Sequence, residues 1–553
     1  MSSDSRPLRL NGWGYADTIY PLNDRPYAWP HLTARLGVSP GKRWAPADPD
    51  AIAIRPSRLS AAQLAELTSI VGEGGARTDT AARLAHSQGK SYVDLVRLRL
   101  GQVANPTDGV AFPQDETQIR SLLNWAGANE IAVVPFGGGT SVVGGIEPRG
   151  ERPHVALSMA RLDQMLSLDR RAHLARLQTG MLGPQVEAAL AAEGYTLGHF
   201  PQSFEFSTLG GWIATRSAGQ ASMRYGRIED MVASLRMVTP AGIIETPLSP
   251  AMATGPSLLQ MLIGSEGSYG VIVDATLRVR PRAAESEGRG LVFPNFAQGA
   301  EAIRAITQNE IPVSVLRLSD TEETTMNLAL RSRHSGVRAL TERFAQAWLR
   351  ASGHPLDGGS VMIALVEGES RQLRRQTAAL EAIARRHGAA SLGGGPARSW
   401  LRERFRAPYL RDTLMDHGLL VDTVETATPW GNVLALRESV AQALRDALGT
   451  RALVMAHISH AYPDGASLYF TFLAPIARGR ELAQWERVKV AATERILAAG
   501  GTLSHHHGIG ADHARWLGRQ TGEAGLAALR GAKAALDPQG VLNPGKLFGA
   551  EGM

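Results

Sequence analysis

The sequence predicts an α+β protein of two layered units with a C-terminal return segment, and three observations carry that prediction. Short β-branched runs (IAVVPF, HVALSM, ARLQTG, ASLRMVT, VIVDATLRV) alternate with glycine turns and helices between about residues 101 and 282. From about Glu285 to Ala499 the strand-like PVSVLRL, VMIALVEG and SLYFTFLA alternate with long Arg/Ala-rich helices, for example 371–387. The last fifty or so residues carry a glycine-rich loop, a helix over roughly 523–535 and the stop signal LDPQGVLNPGKLF, a segment of the kind that packs back on a first domain.

The elements divide the 553 residues into an N-terminal arm with small helices (1–102), a first layered unit (103–283), a second (284–500) and a C-terminal loop and helix (501–553). Within the arm, aromatic and Pro-rich stretches (Trp13, Tyr15, Trp29, Trp44) precede a helix from about Ser60 to Val71, where Leu64 and Leu67 fall at helical spacing. Composition excludes several function classes. The chain has no cysteine, which removes disulfides, Cys-ligated zinc, iron–sulfur clusters, thiolate nucleophiles and cysteinyl-linked cofactors. Lys plus Arg total 58 against 52 Asp plus Glu, a net charge of +6, and only five of the cations are lysines (Lys42, Lys90, Lys489, Lys533, Lys546). Arginines interspersed with acids read as a solvated mixed-charge surface, so no nucleic-acid partner is expected. No apolar run approaches the roughly 18 residues of a spanning helix, and MSSDSRPLRL lacks a signal-peptide core, so a cytoplasmic protein is expected.

The strongest glycine signal is Pro135-Phe136-Gly137-Gly138-Gly139-Thr140-Ser141, directly after the strand IAVV. Consecutive glycines let a backbone approach a pyrophosphate and turn its N–H groups inward, while the hydroxyls add donors. A purely structural tight turn explains the same run. It is neither G-x-G-x-x-G nor a P-loop. Three companions follow: Gln202-Ser203-Phe204-Glu205-Phe206-Ser207-Thr208 with Thr215-Arg216-Ser217-Ala218, rich in hydroxyls at a helix start; Tyr225 to Val232, a turn into a strand; and Glu266-Gly267-Ser268-Tyr269-Gly270-Val271-Ile272, whose amides suit an adenine or ribose.

In order and spacing these motifs resemble the FAD-binding domain of the vanillyl-alcohol oxidase and p-cresol methylhydroxylase flavoproteins. Asn11-Gly12-Trp13-Gly14-Tyr15, a helix-opening His86-Ser87-Gln88-Gly89 and Ser504-His505-His506-His507-Gly508 narrow the likeness to the alkyldihydroxyacetonephosphate synthases, over residues 10–548. The resemblance implies a two-domain flavoprotein: a p-cresol-methylhydroxylase-type FAD domain, an α/β cap that holds substrate, and a C-terminal segment returning to the FAD domain. It implies exchange of the acyl group of acyl-dihydroxyacetone phosphate for a fatty alcohol without net redox change, the flavin N5 acting as an electrophile. FAD is expected to be noncovalent, because cysteine is absent and Thr140 stands where histidyl-linked relatives place His. The partners implied are a lipid phosphate and a fatty alcohol. A long-chain substrate is compatible with peripheral membrane contact, as the fold is with a homodimer.

Removing a proton next to a ketone needs a base with a pKa near the working pH, for which His is the closest side chain. In His505-His506-His507 an extended backbone would point two rings at a site and the middle one behind; a packed loop, or a metal site completed by an acid, fits the same row. By resemblance these three histidines are catalytic, no metal is implied, and Tyr469 is the family's proton-exchanging tyrosine, although a tyrosine in a strand is an ordinary packing residue. Phosphate recognition calls for the planar fork of Arg. Arg317 and Arg411 are candidates, read either as structural ion pairs or, by family position, as a residue near the flavin and a phosphate ligand respectively. Departures from the family include Gln202 in place of Asp, Thr471 in place of a second strand tyrosine, and His457 in place of an Arg. The ending Asn543-Pro544-Gly545-Lys546-Leu547 is closer to FAD-dependent D-2-hydroxy-acid dehydrogenases, the alternative function, which usually carry Glu-His-Gly where this chain has His506-His507-Gly508. A flavin-bearing scaffold without turnover is the third reading.

Overall fold

A computed structural model describes residues 6–41, 43–331, 347 and 349–549. Among these residues the first sheet is built from β1 (Ala76–Arg77), β2 (Gly109–Ala111), β3 (Ala132–Phe136) and β4 (His154–Ser158), in the order β1-β2-β4-β3. Strands β2 and β3 both run parallel to β4, and their continuous apolar sequences follow from burial on both faces. The helix Glu116–Ala128 connects β2 to β3 and is capped by the Asp115 carboxylate. Next comes an antiparallel sheet of β5 (Met165–Asp169), β6 (Leu174–Gln178), β8 (Val232–Thr239), β9 (Gly242–Glu245) and β10 (Val271–Arg278), ordered β5-β6-β10-β8-β9; β7 (Tyr195–Thr196) pairs separately with β11 (Arg280–Pro281).

The third sheet has seven strands: β12 (Glu285–Phe293), β13 (Val315–Ser319), β14 (Ser360–Gly368), β15 (Ala390–Gly393), β16 (Leu419–Pro429), β17 (Leu453–Ala461) and β18 (Gly465–Pro475). Its order is β15-β12-β14-β13-β17-β18-β16, and every pairing is antiparallel. Helices Phe296–Gln308, Ser370–Arg386, Val433–Leu448 and Glu481–Ala498 bury their apolar stripes in this sheet's core.

Both ends of the chain pack against distant parts. Val133 of β3 donates its N–H to Val541 and accepts one from Asn543, so the C-terminal segment extends the first sheet by one bridge. The N-terminal segment, expected as an extended arm with small helices, is packed onto the seven-stranded sheet. Trp13, Tyr20, Leu22, Leu32, Leu36 and Trp44 are buried in the same apolar cluster as the interior of the seven-stranded sheet. The helix expected over 60–71 runs Ala61–Val71 behind a Ser60–Gln63 capping box, and the C-terminal helix is longer than expected, Leu517–Leu536, with Gly522 breaking its regularity. His86 closes the helix Thr80–Ala85 instead of opening one; the next helix starts at Tyr92, capped by Ser91.

Candidate active site

Strand register assembles the centre of the site. Tyr469 on β18 lies directly opposite Glu425 on β16 and His457 on β17, so the three side chains form a row across one sheet face. The Tyr469 ring stacks on His457 at 5.0 Å and on His506 at 5.9 Å, and meets His507 edge-on at 5.4 Å. Its hydroxyl donates to Thr423 Oγ1 at 3.2 Å. Burial pushes the phenol up to about 12, so it keeps its proton at neutral pH.

The histidine row does not run extended. Glu425 accepts the backbone N–H groups of His505 (2.7 Å), His506 (3.2 Å) and His507 (3.1 Å) together with the Ser504 hydroxyl (2.6 Å), and Ser504 Oγ accepts N–H groups from His507 and Gly508. Three successive N–H groups reach one carboxylate only if the chain curls around it, as in an anion nest. The expected alternation therefore fails. His506 and His507 flank Tyr469, while His505 turns to Tyr462, whose hydroxyl lies 2.6 Å from its Nε2, and stacks on His460 at 5.0 Å. His505 and His506 face each other through their Nδ1 atoms at 3.0 Å.

Burial pushes the Glu425 carboxyl up, but the neighbouring histidines and the Ser504 hydrogen bond outweigh it and hold the group well below the usual carboxylate range. Burial also lowers His505, His506 and His507, which favours neutral imidazoles. Ring nitrogens of His460, His505 and His506 lie within 4.8 Å of one another, a spacing that would also admit a metal ion. The loop is tied from a second side as well. Glu266, held with φ 50°, accepts the N–H groups of Ile509 and Gly510 at 2.7 Å each, and Arg227 donates to the His505 carbonyl at 2.8 Å.

The two arginines occupy different surroundings. Arg317 donates to Glu323 at 2.8 Å and lies 3.1 Å from His457 Nδ1, extending the polar row toward β13. Arg411, on the helix Ala407–Asp416, donates through Nη1 to the Lys90 carbonyl at 3.0 Å and lies 3.8 Å from Asp412. Its Nε and Nη2 are buried without acceptors.

Two of the glycine-bearing motifs meet face to face. A Cβ on Gly138 would run into the Phe206 carbonyl and one on Gly137 into Thr208 Oγ1, and Gly139 adopts φ +68°. The turn Pro135–Ser141 is thus a cradle that only glycine keeps open, with its backbone partly accessible. Ser265 and Ser268 hydroxyls and Asn543 Oδ1 are buried without partners. An open glycine cradle and orphaned polar groups suit a pyrophosphate-bearing cofactor. Thr140, Ser141, Ser203 and Thr215 are likewise part-exposed on the cradle and its neighbouring segments, and Ser217 bonds to His199.

Other motif residues serve packing and capping. Phe204 stacks on Phe405, Tyr269 stacks on Phe548, and Ala218, Val271 and Ile272 are buried. Thr208 caps the helix Leu209–Thr215, Ser207 accepts from the Trp212 indole, and Arg216 closes that helix with φ 53° while binding Gln260. Gln202 and Glu205 are exposed, with the Gln202 amide donating to the Arg404 carbonyl at 2.6 Å. Glu425, His460, Tyr462 and Arg227 are the site residues that sequence reasoning did not select as such.

The chain matches the FAD binding domain family over residues 107–246 and the family of FAD linked oxidases, C-terminal domain, over residues 285–547. It is 35% identical to the alkyldihydroxyacetonephosphate synthase of Dictyostelium discoideum over 85% of this chain and 78% of that one. The mitochondrial D-lactate dehydrogenase [cytochrome] of Arabidopsis thaliana is more distant, at 25% over 81% and 74%. A solved alkyldihydroxyacetonephosphate synthase superposes with a TM-score of 0.84 at 30% identity, covering 97% of this chain and 98% of the other. Agreement over so much of both chains, in sequence and in backbone, places this protein in the alkyldihydroxyacetonephosphate synthase family.

Proposed function

We propose that this chain exchanges the acyl group of an acyl-dihydroxyacetone phosphate for a fatty alcohol, yielding an ether-linked product and a free fatty acid with no net redox change. The observation that carries the reading is the joining of a protonated phenol, Tyr469, to neutral imidazoles wrapped on one ionised carboxylate, Glu425. FAD, held noncovalently against the glycine cradle, supplies an electrophilic centre when bound.

The chain's own residues handle protons. His506, neutral and 3.5 Å from Glu425 through Nδ1, accepts a proton from the carbon beside the ketone; the carboxylate steadies the resulting imidazolium. His505 and Tyr462 continue the hydrogen-bonded line from His506 Nδ1, giving that proton a path away from the substrate. The Tyr469 O–H, which donates to Thr423 Oγ1 at 3.2 Å in this structure, turns from that acceptor to a substrate oxygen when substrate binds. Arg411 anchors the phosphate through Nε and Nη2, neither of which is hydrogen-bonded within the chain, although Nε lies 3.8 Å from Asp412. The lipid-phosphate and fatty-alcohol substrates, like any peripheral membrane contact or pairing of subunits, belong to this reading; among the described residues no helix is long and apolar enough to cross a membrane.

The test is incubation of the flavin-loaded protein with an acyl-dihydroxyacetone phosphate and labelled hexadecanol. Label in an alkyl ether, matched one to one by released fatty acid, is expected. Acyl hydrolysis without ether formation would reject the reading.

A further inference from the structure

Lys90 lies outside every residue assigned a role above, yet it touches three separate parts of the molecule. Its backbone N–H donates to the Ser141 carbonyl at 2.7 Å, at the end of the glycine cradle. Its own carbonyl accepts Nη1 of Arg411 at 3.0 Å. Its ammonium donates to the carbonyls of Arg9 (3.0 Å) and Leu10 (3.1 Å) in the N-terminal segment.

That segment is strapped down on the arginine's helix. The Trp13 N–H donates to Asp412 at 2.5 Å, and Arg9 reaches Asp416 at 3.3 Å, where Arg99 also binds at 2.5 Å. Gly14 lies against the Tyr409 side chain so closely that a Cβ would overlap its hydroxyl. Trp13 and Tyr15 meet Phe206 edge-on at 5.7 and 5.2 Å, and the Phe206 carbonyl is the wall that faces Gly138. Strap, cradle and arginine helix thus form one closed circuit through Lys90.

The Arg411 guanidinium inside that circuit is only partly satisfied. One of its nitrogens is fixed by Lys90; Nε lies 3.8 Å from Asp412 Oδ1, in ion-pair range but beyond a hydrogen bond, and Nη2 is buried with no acceptor. A buried guanidinium leaves donors unused at a cost unless a ligand takes them up. Fixing Nη1 orients the planar fork, so a two-oxygen acceptor is met by donors already in place.

We propose that Lys90 is a positioning residue, which locks the N-terminal strap onto the helix Ala407–Asp416 and so holds Arg411 with Nε and Nη2 turned to the phosphate of the substrate. The proposal rests on the phosphate-bearing substrate proposed above, and its test separates the two. Inorganic phosphate is titrated into the flavin-loaded protein by calorimetry, with no acyl chemistry required. In parallel, kcat and KM are measured for acyl-dihydroxyacetone phosphate and for hexadecanol.

Lys90→Met is expected to weaken phosphate binding and raise KM for the phosphorylated substrate about tenfold, leaving kcat, KM for the alcohol and the flavin spectrum unchanged. Lys90→Arg, which keeps the charge and reach, restores most of the affinity. Arg411→Ala abolishes phosphate binding. Wild-type phosphate affinity in Lys90→Met, or in Arg411→Ala, would overturn the inference, as would a loss of kcat with KM for the phosphorylated substrate unchanged. If Lys90→Met loses its flavin, Lys90→Gln is measured instead with the same outcomes. Absence of ether product from the wild type, with phosphate binding still lost in the variants, rejects the proposed reaction and retains the role of Lys90.

Discussion

Glu425 shows how one side chain organises the chemistry around it. A carboxylate that accepts three backbone N–H groups and a hydroxyl fixes the direction of the rings at His506 and His507 and supplies the charge that an imidazolium needs. His506→Ala and Tyr469→Phe are expected to leave the FAD absorbance intact while lowering turnover by roughly 10²- to 10⁴-fold, the scale of lost acid–base catalysis; steady-state rates on flavin-matched samples decide it. The pH dependence follows from the same groups. His506 lies below its ordinary 6.5, so the neutral base is lost only as pH falls through a value under 6.5, and Tyr469 loses its proton only near 12. A profile of kcat/KM that is flat between about pH 7 and 9 is expected, and a limb centred inside that window would contradict these assignments. The three consecutive histidines are legible in the sequence as candidates, because imidazole is the side chain closest to the working pH and the family resemblance falls on this row; the row alone fits a packed loop or a metal site equally. Glu425 is not legible there, since LLVDTVETATP mixes polar and apolar residues without a period, and only the β16–β18 register puts it opposite Tyr469.

At the scale of single elements, the glycine turn after β3 was readable because Gly137-Gly138-Gly139 serves no helix or strand. What faces it was not readable. The Phe206 carbonyl lies some seventy residues away in sequence, and the wall it forms explains why no side chain is tolerated. Gly138→Ala is expected to yield protein that folds without yellow colour, because the added methyl forces the cradle and the 203–208 segment apart; flavin content per chain after purification checks this. Full flavin occupancy in that variant would show that the turn is structural only. Two local readings failed for physical reasons. Alternation of His505–His507 holds only for an extended segment, and the Glu425 carboxylate winds this one into a turn. By resemblance His86–Gly89 opens a helix, whereas the cap is Ser91, whose hydroxyl accepts the N–H of Asp94.

For the molecule as a whole, strand content and the order of layers were legible from alternating apolar runs, and the antiparallel pairing of all seven cap strands was not, because register over such distances leaves no local trace. The N-terminal segment is the clearest case. The arm buries Trp13 in the core of a sheet that begins at Glu285, a contact that no local pattern in the sequence announces. Trp13→Ala is therefore expected to destabilise the protein by about 3–5 kcal/mol, visible as a lowered thermal midpoint, in contrast to the near-neutral effect of truncating a free arm. The central claim is a flavoenzyme that joins an alkyl chain to a lipid phosphate and takes no net electrons. Its most direct test is the anaerobic flavin spectrum, followed through many turnovers with acyl-dihydroxyacetone phosphate and hexadecanol, and separately with D-2-hydroxy acids. Ether product accumulating while the flavin stays oxidised, with no bleaching by hydroxy acids, is the predicted result; bleaching by a hydroxy acid with no ether product would contradict it.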